Sequence, residues 1–252
     1  MVLLHGTRGL VIDGVTLLNS PNHNIMLQDS LHVRIRRLRV HAPSGSPNTD
    51  GVNFCGGADQ IIEDSHISNG DDCMSIAPSW WTPGMGYGGN VVARNVTCEN
   101  GHGISIGLVS HGTVTNVTVE DIRFYDSRNG VRIKAYPNNT GLVSGITFRN
   151  VQLTRVKTPI VITGNYCPHP PCPPGSVAVL VRDITFEDIR GTGNAASGVV
   201  GRFDCSEISP CTGITLRRVQ LQLVGGGEAS FRCGHASGPV AHNVTPKSSV
   251  DL

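Results

Sequence analysis

The segment Asn69-Gly70-Asp71-Asp72-Cys73-Met74-Ser75-Ile76 decides how the chain is read. A turn dipeptide leads into two adjacent carboxylates and then into an alternating, strand-like run. Inside a strand Asp71 and Asp72 would point to opposite faces, whereas a turn entering a strand can hold both near one surface. The frame recurs in Asn100-Gly101-His102-Gly103-Ile104-Ser105-Ile106, with His102 in the place of Asp71. It recurs again in Asn129-Gly130-Val131-Arg132-Ile133-Lys134, with Arg132 in the place of Asp72. Upstream, Asn48-Thr49-Asp50-Gly51-Val52-Asn53-Phe54 aligns Asp50 with Asp71. The repeat therefore predicts one column holding Asp50, Asp71 and His102, and a neighbouring column holding Asp72 and Arg132. Asn69, Asn100 and Asn129 are read as a ladder of plain turn formers.

Outward from this segment the chain repeats a β-branched phrase: apolar, Thr, apolar, polar, polar, apolar. Ile146-Thr147-Phe148-Arg149-Asn150-Val151 and Ile184-Thr185-Phe186-Glu187-Asp188-Ile189 are two copies, and Ile214-Thr215-Leu216-Arg217-Arg218-Val219 is a third. Related phrases at Gly9–Leu17, Leu31–Val40, Gln60–Ile67, Asn90–Thr97 and Val117–Phe124 complete a series at the 20–30-residue period of a stacked solenoid. Each phrase is followed by a second short strand, such as Gly130 to Ala135 or Pro159 to Thr163. The expected fold is all-β: a right-handed parallel β-helix of about eight coils, forming a single domain over residues 1–252. A β-sandwich is the runner-up, but it would not keep the Asn-Gly turns in register with the polar residues. The absence of long 3.6-period segments argues against a βαβ fold.

Composition narrows the function classes. A net charge of +1 over 252 residues gives no basic field for nucleic acid, and no apolar run is long enough for a membrane span. Eight cysteines suit an oxidising, extracellular compartment. The sequons at Asn95, Asn116, Asn138 and Asn243 agree with secretion, although Asn-Val-Thr also belongs in a strand repeat. The opening Met1-Val2-Leu3-Leu4-His5-Gly6-Thr7-Arg8 lacks the features of a signal peptide. The expectation is that the chain begins inside a repeat, its leader lost with N-terminal coils. Two loops break the repeat. One carries Trp80, Trp81 and Tyr87, read either as a groove wall or as packing; the other is Cys167 to Gly175, read as a small disulfide-closed loop.

Stacking the turns brings Asp50, Asp71, Asp72 and His102 together, with Arg132 and Lys134 one coil beyond. Carboxylates packed this closely cannot all ionise freely, which supplies a protonated acid beside ionised bases. Glycosidic cleavage needs that pairing. The two cations suit an anionic substrate, with Arg able to grip a carboxylate in a fork. The residues thus point to hydrolysis of an acidic polysaccharide. A metal site on Asp50, Asp71, Asp72 and His102 is disfavoured by the adjacent cations, so neither metal nor cofactor is expected.

At these residues the chain resembles the polygalacturonases of glycoside hydrolase family 28. The match is Asn48-Thr49-Asp50-Gly51, Gly70-Asp71-Asp72, Gly101-His102-Gly103 and Arg132-Ile133-Lys134, in family order, with Tyr166 as a fifth element. The resemblance implies a secreted, monomeric pectin hydrolase acting on α-1,4-linked galacturonan with inversion. It implies Asp71 as general acid, Asp50 and Asp72 as activators of water, and His102 as the residue that maintains the acid's protonation. It further implies Arg132 and Lys134 on the galacturonate carboxylate, Asn48 and Tyr166 on the sugar, and a disulfide between Cys73 and Cys98. Cys205 with Cys211, and Cys167 with Cys172, read as local pairs; Cys55 and Cys233 stay unassigned. Exo or endo action, and homogalacturonan or a branched galacturonan as substrate, stay open. Pectate lyase and a non-catalytic wall-binding solenoid are the competing classes.

Overall fold

The structure, a computed structural model, describes residues 1–79, 86–168, 170–172, 175–194, 196 and 198–247. Trp80 and Trp81 lie outside these described residues. The first coils are built from β1 (Val2–His5), β2 (Val11–Asp13), β3 (Thr16–Leu18), β4 (Ile25–Arg36), β5 (Arg39–His41) and β6 (Val52–Asn69). The middle coils are β7 (Met74–Ala77), β8 (Tyr87–Asn100), β9 (Ile104–Val109), β10 (Thr113–Tyr125), β11 (Asn129–Ala135) and β12 (Leu142–Val156). The last are β13 (Thr158–Thr163), β14 (Leu180–Gly193), β15 (Val199–Asp204), β16 (Cys211–Leu223), β17 (Ser230–Gly234), β18 (Ala236–Ser237) and β19 (Val240–Thr245). Every pairing is parallel, and no helix occurs among the described residues. The chain is a parallel β-helix.

Two ladders run the length of the solenoid. Long strands pair in the order β4, β6, β8, β10, β12, β14, β16, and short strands in the order β7, β9, β11, β13, β15, β17. One inward column runs through Ile35, Ile62, Ala93, Val119, Phe148, Phe186 and Leu216, each in register with the next. These side chains are fully buried, and Phe148 stacks on Phe186 with ring centroids 5.3 Å apart. Each buried aromatic of this kind contributes roughly 1.5–3 kcal/mol of transfer free energy.

The polar corner of the phrase has a backbone cause. Asp64, Asn95, Asp121, Asn150 and Asp188 all sit at φ between 49° and 56°, in the left-handed region that Asn and Asp tolerate best. Neighbouring corners then bond to each other: Asn95 Nδ2 donates to Asp64 Oδ1 at 2.6 Å, and Asn150 donates to Asp121. Asn95 and Asn116, both in sequons, spend their side-chain amides on such corner contacts.

The turn ladder departs from the expected alignment. Asn69 pairs with Asn100, but Asn129 pairs with Thr158 on the short-strand ladder. Asn129 is therefore in a different column from the other two asparagines. The three disulfides are Cys73–Cys98, Cys167–Cys172 and Cys205–Cys211. Cys55 is a buried thiol whose pKa burial pushes up to about 12, which keeps it protonated and unreactive.

Candidate active site

The site forms where β6 turns into β7 and β8 turns into β9. Asn69 and Asn100 are in register, and so are Met74 and Ile104. The first segment takes five steps to cover what the second covers in four. The turn after β6 thus carries one extra residue, and both Asp71 and Asp72 reach the groove face. Register with Met74 puts Asp50 and Asp72, not Asp50 and Asp71, in one column, which continues to His102. Arg132 pairs with Ser105 and reaches Asp72 only through the length of its side chain. The first expected column is thus shifted by one residue, and Arg132 aligns with Ser75, three residues beyond Asp72, although the expected residues still converge.

Two buried amides brace this backbone. Asn24 Nδ2 donates to the carbonyls of Thr49 and Asp50, both at 3.1 Å. Asn69 Nδ2 donates to the carbonyls of Thr49 at 2.9 Å and Asp72 at 2.8 Å. Gly51 is required by close approach, since a Cβ there would sit 2.5 Å from the carbonyl oxygen of Cys73. Gly103 has φ of 82°, and a Cβ there would collide with the Asn129 carbonyl. The Cys73–Cys98 disulfide ties the residue after Asp72 to β8.

Asp72 is the most enclosed of the carboxylates, at 2% exposure. Its Oδ1 accepts from Arg132 at 2.6 Å and from Ser105 at 3.0 Å, and its Oδ2 accepts from Lys134 Nζ at 2.7 Å. Asp71 Oδ1 accepts from His102 Nδ1 at 2.9 Å and from the Asp72 amide at 2.8 Å, while Oδ2 accepts from the Asn48 amide at 3.2 Å. Burial works against the charge on Asp71. The hydrogen bond and charge of His102, with the two amides, outweigh burial and hold this carboxyl at about 2. Asp50 goes the other way: burial raises it above the ordinary carboxylate value, the charges of Asp72 and Asp71 add to the rise, and a hydrogen bond from His23 opposes it.

His23 is the residue that sequence reasoning missed. Its Nδ1 lies 3.0 Å from Asp50 Oδ1, and the pairing raises the imidazole pKa. Ile25 pairs with Val52, so His23 stands one rung before Asp50 in the Asp50–Asp72–His102 column. The signal was available in Asn22-His23-Asn24-Ile25, which opens the preceding coil at the same position. Extending the repeat frame one coil upstream would have found it.

Tyr166 closes one edge, with Lys134 Nζ 5.4 Å and the Arg132 guanidinium 5.9 Å from its ring centroid. Asn48 presents its backbone to Asp71, and its side chain is exposed. Tyr87 begins β8 beside Thr113 and accepts from Thr115 at 3.3 Å. Asp71, Asp72 and His102 offer ligand atoms within 4.8 Å of one another. Both oxygens of Asp72 are already held by cations, which opposes a divalent ion at that position. A groove of about 790 Å³ opens from His102, Arg132 and Tyr166 toward the later coils.

A sequence model of the family described as Glycosyl hydrolases family 28 matches residues 1–243. The chain belongs to that family. A polygalacturonase of Prunus persica is 36% identical over 97% of this chain and 61% of its own length. Polygalacturonase-2 of Solanum lycopersicum is 36% identical over 95% of this chain and 51% of its own. The family-28 chain thus spans between half and two thirds of these relatives. Among solved structures, a polygalacturonase of Erwinia carotovora superposes with a TM-score of 0.81 at 25% identity, over 95% of this chain and 59% of that one. An endopolygalacturonase I of Stereum purpureum, complexed with two galacturonates, gives a TM-score of 0.76 at 24% identity, over 94% and 69%; at that identity it speaks for the fold alone.

Proposed function

We propose that this family-28 chain hydrolyses α-1,4-linked galacturonan by inverting acid/base catalysis. The observation that carries the proposal is the convergence of Asp71–His102 and the cation-clamped Asp72 on one groove face. Relatives named polygalacturonase support the substrate class. In this reading Asp71 protonates the leaving oxygen, and Asp50 and Asp72 orient and activate water. Arg132 and Lys134 take the galacturonate carboxylate, while Tyr166 and Asn48 contact the sugar. His102 Nδ1 lies 2.9 Å from Asp71 Oδ1. Covering Asp71 with a sugar excludes water, works against the carboxylate's charge and favours the protonated acid that transfers to the leaving oxygen.

The protein acts outside the cell as a monomer in this reading, and its three disulfides favour an oxidising compartment. The test is reducing-end release from polygalacturonate, with the anomer of the new end followed by NMR. Release of the inverted anomer, unaffected by chelator, is the expected result. An unsaturated, ultraviolet-absorbing product would make the protein a lyase, and no release would leave a binding solenoid. A single released monomer would indicate exo action, and mixed short oligomers endo action.

A further inference from the structure

Two consecutive residues of the preceding coil hold Asp50. The Asn24 amide donates to the Asp50 carbonyl at 2.8 Å, and Asn24 Nδ2 donates to the same oxygen. His23 takes the side chain, with Nδ1 3.0 Å from Asp50 Oδ1. The turn that presents His23 is itself braced. The His23 amide donates to Asn22 Oδ1 at 2.7 Å, and Ser20 Oγ donates to the His23 carbonyl at 3.0 Å. Backbone and carboxylate of Asp50 are therefore both fixed from one turn. An ionised carboxylate only accepts, so the imidazole carries a proton on Nδ1, toward Asp50. Asp50 Oδ2 accepts no hydrogen bond from a described residue.

The three carboxylates are not equivalent toward a proton. Asp71 is the donor in the reading above. Asp72 holds Arg132, Ser105 and Lys134 on its two oxygens. A proton placed on Asp72 would leave two buried cations beside a neutral acid. Asp50 has one ion-pair partner among the described residues, His23. Its other charged neighbours, Asp72 and Asp71, are both acids, and the buried Cys55 thiol near it is protonated.

We propose that His23 is a positioning residue that fixes Asp50 Oδ1 and leaves Oδ2 to the attacking water, which makes Asp50 the carboxylate that takes the water's proton. In that step the water oxygen bonds to the anomeric carbon and one of its protons passes to Asp50. The bond from that carbon to the leaving oxygen breaks, and the leaving oxygen takes the proton of Asp71. Solvent then removes the proton from Asp50 and returns one to Asp71. The imidazole's hydrogen bond and charge work against burial and the two neighbouring acids, which favours an ionised Asp50 at the start of each cycle. The proposal rests on the hydrolase reading of the site and adds a residue that lies outside the motifs carrying the family resemblance.

The test is steady-state turnover of polygalacturonate by the intact chain as wild type, H23L and H23N. Leu fills the space of the imidazole without a donor, and Asn places an amide N–H where Nδ1 stood. H23L is expected to lose on the order of ten- to a hundredfold in kcat, part of what a general base contributes, with KM changed less than about twofold. H23N is expected to recover most of that loss. The acid limb of kcat/KM moves to higher pH in H23L, and by less in H23N, which keeps the hydrogen bond. Thermal melts check that the proteins are folded, and H23A replaces H23L if that variant is not. Wild-type kcat in the variant without a donor, or no recovery in folded H23N, would overturn the positioning role and leave hydrolysis by the wild type standing. Absence of reducing-end release by the wild type would instead sink the hydrolase reading, and the role of His23 with it.

Discussion

The outward column of the long strands and the groove column of the short strands belong to the same coils, yet they handle charge differently. The outward column reads Asp13, Arg36, Glu63, Arg94, Glu120, Arg149, Glu187 and Arg217, alternating in sign at every rung. Its members pair with one another: Arg36 with Asp13 at 2.8 Å, Arg94 with Glu63 at 2.5 Å, and Arg149 with Glu120. The groove column has no such alternation. Its one ion-paired member, Arg132, reaches back to a buried carboxylate, and Arg202 and Arg232 are exposed and form no ion pair among the described residues. A register stack of like charges is unfavourable, and the outward column is arranged to avoid it.

The comparison is sharpest at the reacting groups. Asp71→Asn removes the transferable proton, and turnover of polygalacturonate should fall about a hundred- to ten-thousandfold, read as reducing-end release. Turnover close to wild type would place the groove among ordinary polar surfaces. Arg132→Ala removes one of the two cations from a carboxylate that is 2% exposed and leaves its Oδ1 to Ser105 alone, and should cost about 1.5–3 kcal/mol in denaturant unfolding. Arg149→Ala on the outward column, where the arginine is half-exposed, should cost less than about 1 kcal/mol in the same assay. Equal costs would dissolve the distinction between the two columns.

Between these lies a pH effect. The His23 hydrogen bond holds Asp50 down against burial. In His23→Ala that opposition is gone, the Asp50 pKa rises, and the acid limb of the kcat/KM profile should move to higher pH. An unmoved limb would mean that Asp50 does not need to ionise. A smaller signal belongs to Asp71. Its carboxyl is lowered from 3.8 to about 2, so its contribution to stability is complete above pH 3.8 and is lost as pH falls through about 2. Acid unfolding of Asp71→Asn should lack that step.

The phrase at Ile146–Val151 and its copies made the solenoid legible, because its period-two apolar positions and its Asn or Asp corner are each demanded by one coil alone. The candidate residues were equally legible as motifs. Their columns were not. The alignment on the turn asparagines put Asp50 beside Asp71 and Asn129 beneath Asn100, and both placements were off. Register is fixed by the ladder bonds of the flanking strands, not by the turn residues. A one-residue excess in the turn before Met74 leaves no mark in composition. His23 escaped because it follows its turn asparagine, Asn22, by one residue, whereas Asp50, Asp71 and His102 follow theirs by two.

The sequence by itself determined the fold and the set of acids, imidazole and cations, since periodicity and residue type are local properties. The tertiary structure decided which of them meet. It placed both Asp72 oxygens against cations, set Asp71 and Asp50 on opposite sides of the ordinary carboxylate value, and left Arg202 and Arg232 without an ion pair among the described residues. The reason is that contact across coils depends on register, burial and side-chain reach, and these exist only once every rung is stacked on the one before it.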